Sequence, residues 1–221
     1  MKPSVGIIGG TGPAGSSLGL RMASLGHQVV VGSRDPERGA MVVTALKSQF
    51  GAKVETVWGD SNARAATCDI VIMATPWDGV EEMAIQHRQA LAGKVVISMV
   101  NALYRQGRNM NALVLPRGSI AQHLAVCLPE STLVGAFHHA PAKELGKIDE
   151  PLGLDILVCS DDSAATTKVI ALIDEIPGAR GIDAGNLSAA MAIEAMTAVL
   201  INVNIRYKTR CSIRLSGIKD L

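Results

Sequence analysis

Val5-Gly-Ile-Ile-Gly9-Gly10-Thr11-Gly12-Pro13-Ala14-Gly15 is the stretch that decides the fold. An aliphatic run enters a glycine-rich turn, and the residues that follow, Ser16-Ser-Leu-Gly-Leu-Arg-Met-Ala-Ser-Leu25, suit a helix. Gly10, Gly12 and Gly15 spell G-x-G-x-x-G at this strand-to-helix turn. The first glycine permits the tight turn, the second lets a pyrophosphate approach the backbone, and the third allows helix and strand to pack closely. The helix start, where Pro13 sets the first turn and Ala14 follows, offers amide donors from Ala14 onward and a partial positive charge to phosphates, and Thr11 can add a hydroxyl. In a chain with 22 glycines the spacing alone says little. Its place at the first strand–helix turn carries the reading.

Outward from this loop, aliphatic runs alternate with helix-like stretches. Strands are expected at Ser4–Gly9, His27–Ser33, Val54–Trp58, Asp69–Thr75, Lys94–Val100, Thr132–His138, Asp155–Ser160 and, weakly, Gly181–Ala184. Helices are expected at Trp77–Leu91, Ser119–Cys127, Ser163–Ile176 and from about Leu187 to Lys208, the last with Asn186 or Ser188 as cap. Alternation of this kind predicts an α/β, Rossmann-like, doubly wound and mainly parallel sheet with a small C-terminal helical segment. The expected division is 1–178 for the dinucleotide-binding domain and 179–221 for a segment that closes the substrate cleft, dimerises, or does both.

Composition agrees. Hydrophobic residues make up 48% and charged residues 19%, so a core forms readily, while aromatics at 3% leave aliphatic side chains to build it. A net charge of +1 with no basic run argues against nucleic acid as a partner. The apolar stretch from Met191 to Val203 is interrupted by Glu194 and Asn202, which suggests a buried helix rather than a membrane span. Cys68, Cys127, Cys159 and Cys211 lack paired ligand spacing, so free thiols in a reducing cytoplasm are expected, with neither disulfide nor metal.

The second expected strand ends in Gly32-Ser33-Arg34-Asp35-Pro36-Glu37-Arg38, where an NAD enzyme presents a carboxylate to the ribose 2′-hydroxyl. Ser33, Arg34 and Arg38 instead offer a hydroxyl and two guanidinium groups to a 2′-phosphate. Asp35 could read the hydroxyl, but Asp35-Pro36 also has the form of a helix cap followed by proline at the first helical position. The balance favours NADP(H).

Taken together, Gly9-Gly-Thr-Gly12, Gly26-His27, Val30-Val-Gly-Ser-Arg34, Thr75-Pro-Trp77, His138-His-Ala-Pro-Ala-Lys143, Asp183-Ala-Gly185 and Arg206-Tyr-Lys208 resemble the NADPH-dependent reductases of coenzyme F420. The likeness runs from Val5 to about Ile218, and its first three motifs also occur in the reductase domains of membrane metalloreductases. The resemblance implies a homodimer that passes a hydride between NADP(H) and the deazaflavin of coenzyme F420. It places Thr11, Ser33, Arg34 and Arg38 around the phosphates, Thr75 and Pro76 beside the cofactor, and Asn101, Ala140 and Ala142 along the nicotinamide–deazaflavin cleft. His139, Pro141 and Lys208 would meet the co-substrate. His139–Ala140 and Thr209–Ser212 depart from the family pattern, which leaves open another acceptor such as a flavin, quinone or imine.

Ring-to-ring hydride transfer needs few acid–base groups, and the chain has no Ser-His-Asp set, no metal-spaced cluster and no paired catalytic carboxylates. That absence also leaves open a non-catalytic NADP(H)-sensing module. His138 is the one candidate catalytic residue, as hydrogen-bond partner of a ring carbonyl. His27, His87 and His123 read as ordinary surface or helix positions.

Overall fold

The computed structural model describes residues 2–218. Four buried strands form its centre: β1 (Val5–Ile8), β2 (Val29–Ser33), β4 (Ile70–Met73) and β5 (Val95–Ser98). With β3 (Val57–Ser61) and β8 (Thr132–Gly135) they make a six-stranded sheet in the order β3-β2-β1-β4-β5-β8, parallel at every pairing. The chain winds outward from β1 to β3, then returns to the other side of β1 and winds outward again. The reversal between β1 and β4 opens a crevice at the carboxyl ends of the strands, the usual ligand position in open α/β sheets.

Helices cover both faces. One core cluster gathers Leu18 and Met22 of α1 (Pro13–Ser24), Val43 of α2 (Pro36–Phe50), Leu145 of α6 (Ala142–Leu145) and Val169 and Leu172 of α7 (Ser163–Asp174). The other holds Ala65 of α3 (Asn62–Ala65), Val80 and Ala84 of α4 (Val80–Leu91), Leu124 of α5 (Ile120–Cys127) and Ile193 of α8 (Ala190–Tyr207).

The expected elements are present, with shifted ends. The third strand begins at Val57 because Gly51, at φ 58°, ends α2 and a single 3-10 turn occupies Gly51–Val54. β8 stops at Gly135, not His138: Gly135 still pairs with Ser98 of β5 and also bridges Cys159 on its other side, and Phe137 then turns left-handed at φ 61°. β9 (Leu154–Val158) and β10 (Ala179–Asp183) form a parallel pair, so sheet pairing crosses residue 178. The hairpin β6 (Leu103–Gln106) and β7 (Asn109–Ala112) gave no sign in the sequence, being polar and half exposed.

α8 differs most from expectation. Neither Asn186 nor Ser188 caps it; their side chains bond each other at 2.6 Å, and a 3-10 turn leads into the helix. Only Ala190, Ile193, Glu194, Thr197 and Ala198 are buried. Met191, Val199, Ile205 and Tyr207 stand open to solvent, so the helix is not the buried one its composition suggests. Among the described residues it is the one helix long and apolar enough to cross a membrane, by length and composition alone.

Candidate functional site

The glycine turn divides its tasks differently from the motif reading. The left-handed residue is Gly9, at φ 72°, one position before the motif, and a Cβ there would lie 2.6 Å from the Thr75 methyl. Gly10 is needed because a Cβ would meet the Ile7 carbonyl at 2.8 Å, and Gly15 because one would meet Gly10 Cα at the same distance. Gly12 faces open space, with nothing within 4 Å of its would-be Cβ. The first two tight positions let the chain reverse; the third seats α1 against the turn. Gly12 keeps the approach free for a ligand. α1 begins immediately afterwards with Pro13 in its first turn, so its early amides point into that space without intrahelical acceptors.

At the carboxyl end of β2, Ser33 is buried while Arg34 and Arg38 are exposed. Neither arginine makes a hydrogen bond or ion pair within the described residues. The Asp35 carboxylate is engaged, accepting the Glu37 amide at 3.0 Å as the cap of α2, and Pro36 follows as the first helical residue. The side chains left free at this corner are therefore cationic, and the one carboxylate that could compete holds the helix.

On the far side of the switch point, Thr75 and exposed Pro76 follow β4, Asn101 follows β5, and the turn from Phe137 to Ala142 follows β8. The Asn101 amide donates to the His138 carbonyl at 2.9 Å, and Thr197 of α8 donates to the same oxygen at 3.1 Å. Trp77 ties the loop after β4 to the hairpin, its indole N–H donating to the Leu103 carbonyl at 3.2 Å. Thr75 Oγ1, Asn101 Oδ1 and Ser98 Oγ are buried atoms without a partner. Three such atoms at adjoining strand ends leave polar valences for something from outside the chain to satisfy.

Residues 4–102 match the family model described as NADP oxidoreductase, coenzyme F420-dependent. The F420-dependent NADP reductase of Methanocaldococcus jannaschii is 33% identical over 97% of this chain and 99% of its own. Its counterpart from Methanothermobacter thermautotrophicus is 31% identical over 100% of this chain and 97% of its own. The chain belongs to the coenzyme F420-dependent NADP oxidoreductase family. A solved Arthrobacter structure covers 97% of this chain and all of its own with a TM-score of 0.83; at 21% identity it speaks for the fold alone.

Within this family frame the two cleft histidines take unexpected positions. Both are 4% exposed. The His138 ring folds back over β8, its Nε2 3.1 Å from where a Gly135 Cβ would stand, and neither ring nitrogen has a partner of hydrogen-bonding geometry. Burial, with the neighbouring His139, lowers its pKa to about 3, an effect the Val100 backbone only partly offsets. His139 accepts the Leu157 amide of β9 at 3.3 Å, which turns its ring toward β9, and burial lowers its pKa to about 4 despite Asp155. Both rings are neutral at physiological pH. His27 is buried as well, contrary to expectation, between the Pro3 carbonyl and Glu175, while His87 holds the expected helix position on α4 with its side chain buried. Pro141, Ala140 and Ala142 are half-buried along the turn, and Lys208 is the exposed left-handed residue that ends α8.

Three residues support the site without a sequence signature. Asn62 is 4% exposed, and its side-chain oxygen accepts the Gly9 amide at 2.9 Å. Arg21, fully buried on α1, donates to the backbone carbonyls of Glu144, Leu145, Lys147, Ile148 and Glu150 and so staples the end of α6 and the loop after it to α1. Glu194 of α8 accepts the Ile120 and Ala121 amides at the start of α5, at 2.9 and 3.1 Å, and burial raises its pKa to about 7. Asn202, two turns on, bonds both backbone groups of Met110 in β7. Glu194 and Asn202 thus hold α8 against its neighbours and do not line the cleft.

Proposed function

We propose that this chain transfers a hydride between NADP(H) and coenzyme F420. The observation that carries the reading is the corner at the end of β2: Arg34 and Arg38 without partners beside Ser33, and Asp35 withdrawn into a helix cap. This is a receptor for a 2′-phosphate, and the reductases of the two methanogens named above, similar along their whole length, carry NADP and F420 in their names.

The residues fit the dinucleotide along its length. Gly10, Thr11, Gly12, Pro13, Ala14 and Gly15 provide the open turn and helix start for the pyrophosphate. Thr75 and Pro76 flank the path past the switch point, and the unpartnered oxygens of Thr75 and Asn101 suit the amide of a nicotinamide. Ala140, Pro141 and Ala142 form a small-residue edge against which a flat deazaflavin can lie, with Lys208 a cation for its acidic tail. When bound, the two ring systems supply and accept the hydride themselves. The chain holds them face to face, excludes water and fixes which faces meet. Its part in the chemistry is positional: Asn101 and Thr197 set the turn after β8 by holding the His138 carbonyl. His138, kept neutral by burial, is a polar but uncharged floor; it would reach a ring carbonyl only by turning out from Gly135.

We further infer that the protein works as a cytoplasmic homodimer, independent of membrane and nucleic acid, with the exposed apolar side of α8 as the shared surface. Met191, Val199 and Ile205 lie on one side of that helix, and covering them removes apolar area from water in proportion to its extent. In this reading the segment from 179 onward both closes the cleft, through Thr197, and dimerises.

The decisive experiment follows the visible absorbance of oxidised coenzyme F420 on addition of NADPH, with NADH as control. Rapid bleaching with NADPH and little with NADH is the expected result. Binding of NADPH without bleaching would overturn the choice of acceptor.

A further inference from the structure

We propose that Glu81, His123 and Cys127 form a binding site for a single thiophilic divalent cation, zinc or a close relative, that bridges α4 and α5. His123 and Cys127 are one helical turn apart on α5 and project to the same side. Glu81, in the first turn of α4, meets them from the adjacent helix. One donor atom from each, the imidazole nitrogen, the thiol sulfur and a carboxylate oxygen, lies within 4.8 Å of the others, and His123 Nε2 is 3.1 Å from Glu81 Oε2.

Zinc bound tetrahedrally at about 2.0 Å to nitrogen and oxygen and about 2.3 Å to sulfur holds its donors roughly 3.3–3.8 Å apart. The observed group therefore needs only side-chain adjustments on the order of 1 Å to close on an ion. The donors form a gradient, with Cys127 buried, His123 half-buried and Glu81 exposed, so a cation would be seated on sulfur from beneath and reached from solvent above. A shallow, open depression lined by Asp78, Glu81, Glu82, Ile85 and Gln86 adjoins the carboxylate. Its three acidic residues supply an attractive field at the entry and room for the water that completes four-coordination. Arg88 does not block the site: its Nε donates to the Cys127 carbonyl at 2.8 Å.

Binding replaces the Cys127 S–H bond with a sulfur–metal bond, releases that proton to solvent and involves no oxidation or reduction. Cysteine spacing gives no hint of the site, because the nearest second ligand is a histidine and the third comes from another helix. Its residues are separate from the phosphate loop and the ring cleft. What an ion would brace is α5, the helix whose first amides hold Glu194 of α8.

The test uses the full chain, stripped with chelator and titrated with cobalt(II) as a spectroscopic substitute for zinc, without NADPH or F420. The expected result is a thiolate-to-cobalt band in the near ultraviolet with tetrahedral visible bands, saturating at about one equivalent and abolished by zinc. Cys127→Ser should remove the thiolate band, and His123→Ala should weaken binding at least ~10-fold. Cys211→Ser should change nothing, and NADPH binding reports that each variant is folded. No band in the unaltered protein would overturn the proposal, as would a band that survives Cys127→Ser or is lost in Cys211→Ser. Should Cys127→Ser fail to fold, undiminished affinity in His123→Ala would overturn it alone.

Discussion

The side-chain oxygen of Asn62 accepts the backbone amide of Gly9 at 2.9 Å, and it stands 2.8 Å from where a Cβ on Gly32 would be. A residue at the start of α3 thus pins the left-handed turn at the end of β1 and fits only because β2 passes it as glycine. Asn62→Ala leaves a buried amide without an acceptor, at a cost of about 2 kcal/mol in stability. It should raise the KM for NADPH several-fold more than the KM for F420. Denaturant unfolding together with the two KM values checks both effects.

Gly12 and Gly15 should fail in different ways. Gly15→Ala places a methyl against Gly10 Cα and should lower the melting temperature before any ligand is added. Gly12→Ala meets nothing within 4 Å and should fold normally, yet bind NADPH poorly, because its methyl projects into the space reserved for the pyrophosphate. Thermal melts with and without NADPH separate the two.

Arg34→Ala removes charge-assisted bonds worth about 1.5–3 kcal/mol, which predicts a roughly 10- to 100-fold higher KM for NADPH. The KM for NADH should stay as it was, since the lost partner is the 2′-phosphate. An equal loss with both cofactors would mean that Arg34 acts on the adenine or on folding.

Stability should decline on acidification from about pH 6.5. His138 and His139 have folded pKa values of about 3 and about 4 against an ordinary 6.5, so the unfolded chain takes up their protons first and their contribution is lost as pH falls. Glu194 acts in the opposite sense. Its folded value of about 7 lies above the ordinary 4.5, so its contribution is present in acid and is lost as pH rises through 7. Where the windows overlap, two histidines outweigh one carboxylate, for a net loss of at most about 1.4 kcal/mol per pH unit. His139→Gln should flatten this acid limb and Glu194→Gln should steepen it, as read from urea midpoints across the range.

Val199→Glu, at a position 58% exposed on α8, should leave the fold intact and yield monomers by light scattering. A dimer that survives it would place the shared surface elsewhere.

Much of this architecture was legible because it rests on short-range rules. The glycine turn, the aliphatic strands β1, β4 and β5, and the Asp35-Pro36 helix start each follow from local sterics or capping. What escaped was set by partners distant in sequence. The burial of His27 depends on Glu175 and Pro3, and the turning of His139 depends on an unpaired amide of β9. β8 ends early where Phe137 turns left-handed, just past the bridge that Gly135 makes to Cys159 of the segment after β9. Asn62 and Arg21 belong to no motif, yet they hold the loop and the cleft in place. The exposed side of α8 misled for another reason: apolar composition reports that a surface should be covered, not by which body.

Arg21 binds the end of α6 and the loop after it through five carbonyls, and this governs the order in which the molecule assembles. Lys147, Ile148 and Glu150 lie outside any helix or strand, so their carbonyls join no regular ladder. Until α1 docks on the sheet and presents its guanidinium, that segment has no reason to settle. That stretch is thus a late-folding element licensed by α1. In amide exchange the two should open together, as one cooperative unit that joins residues more than a hundred positions apart.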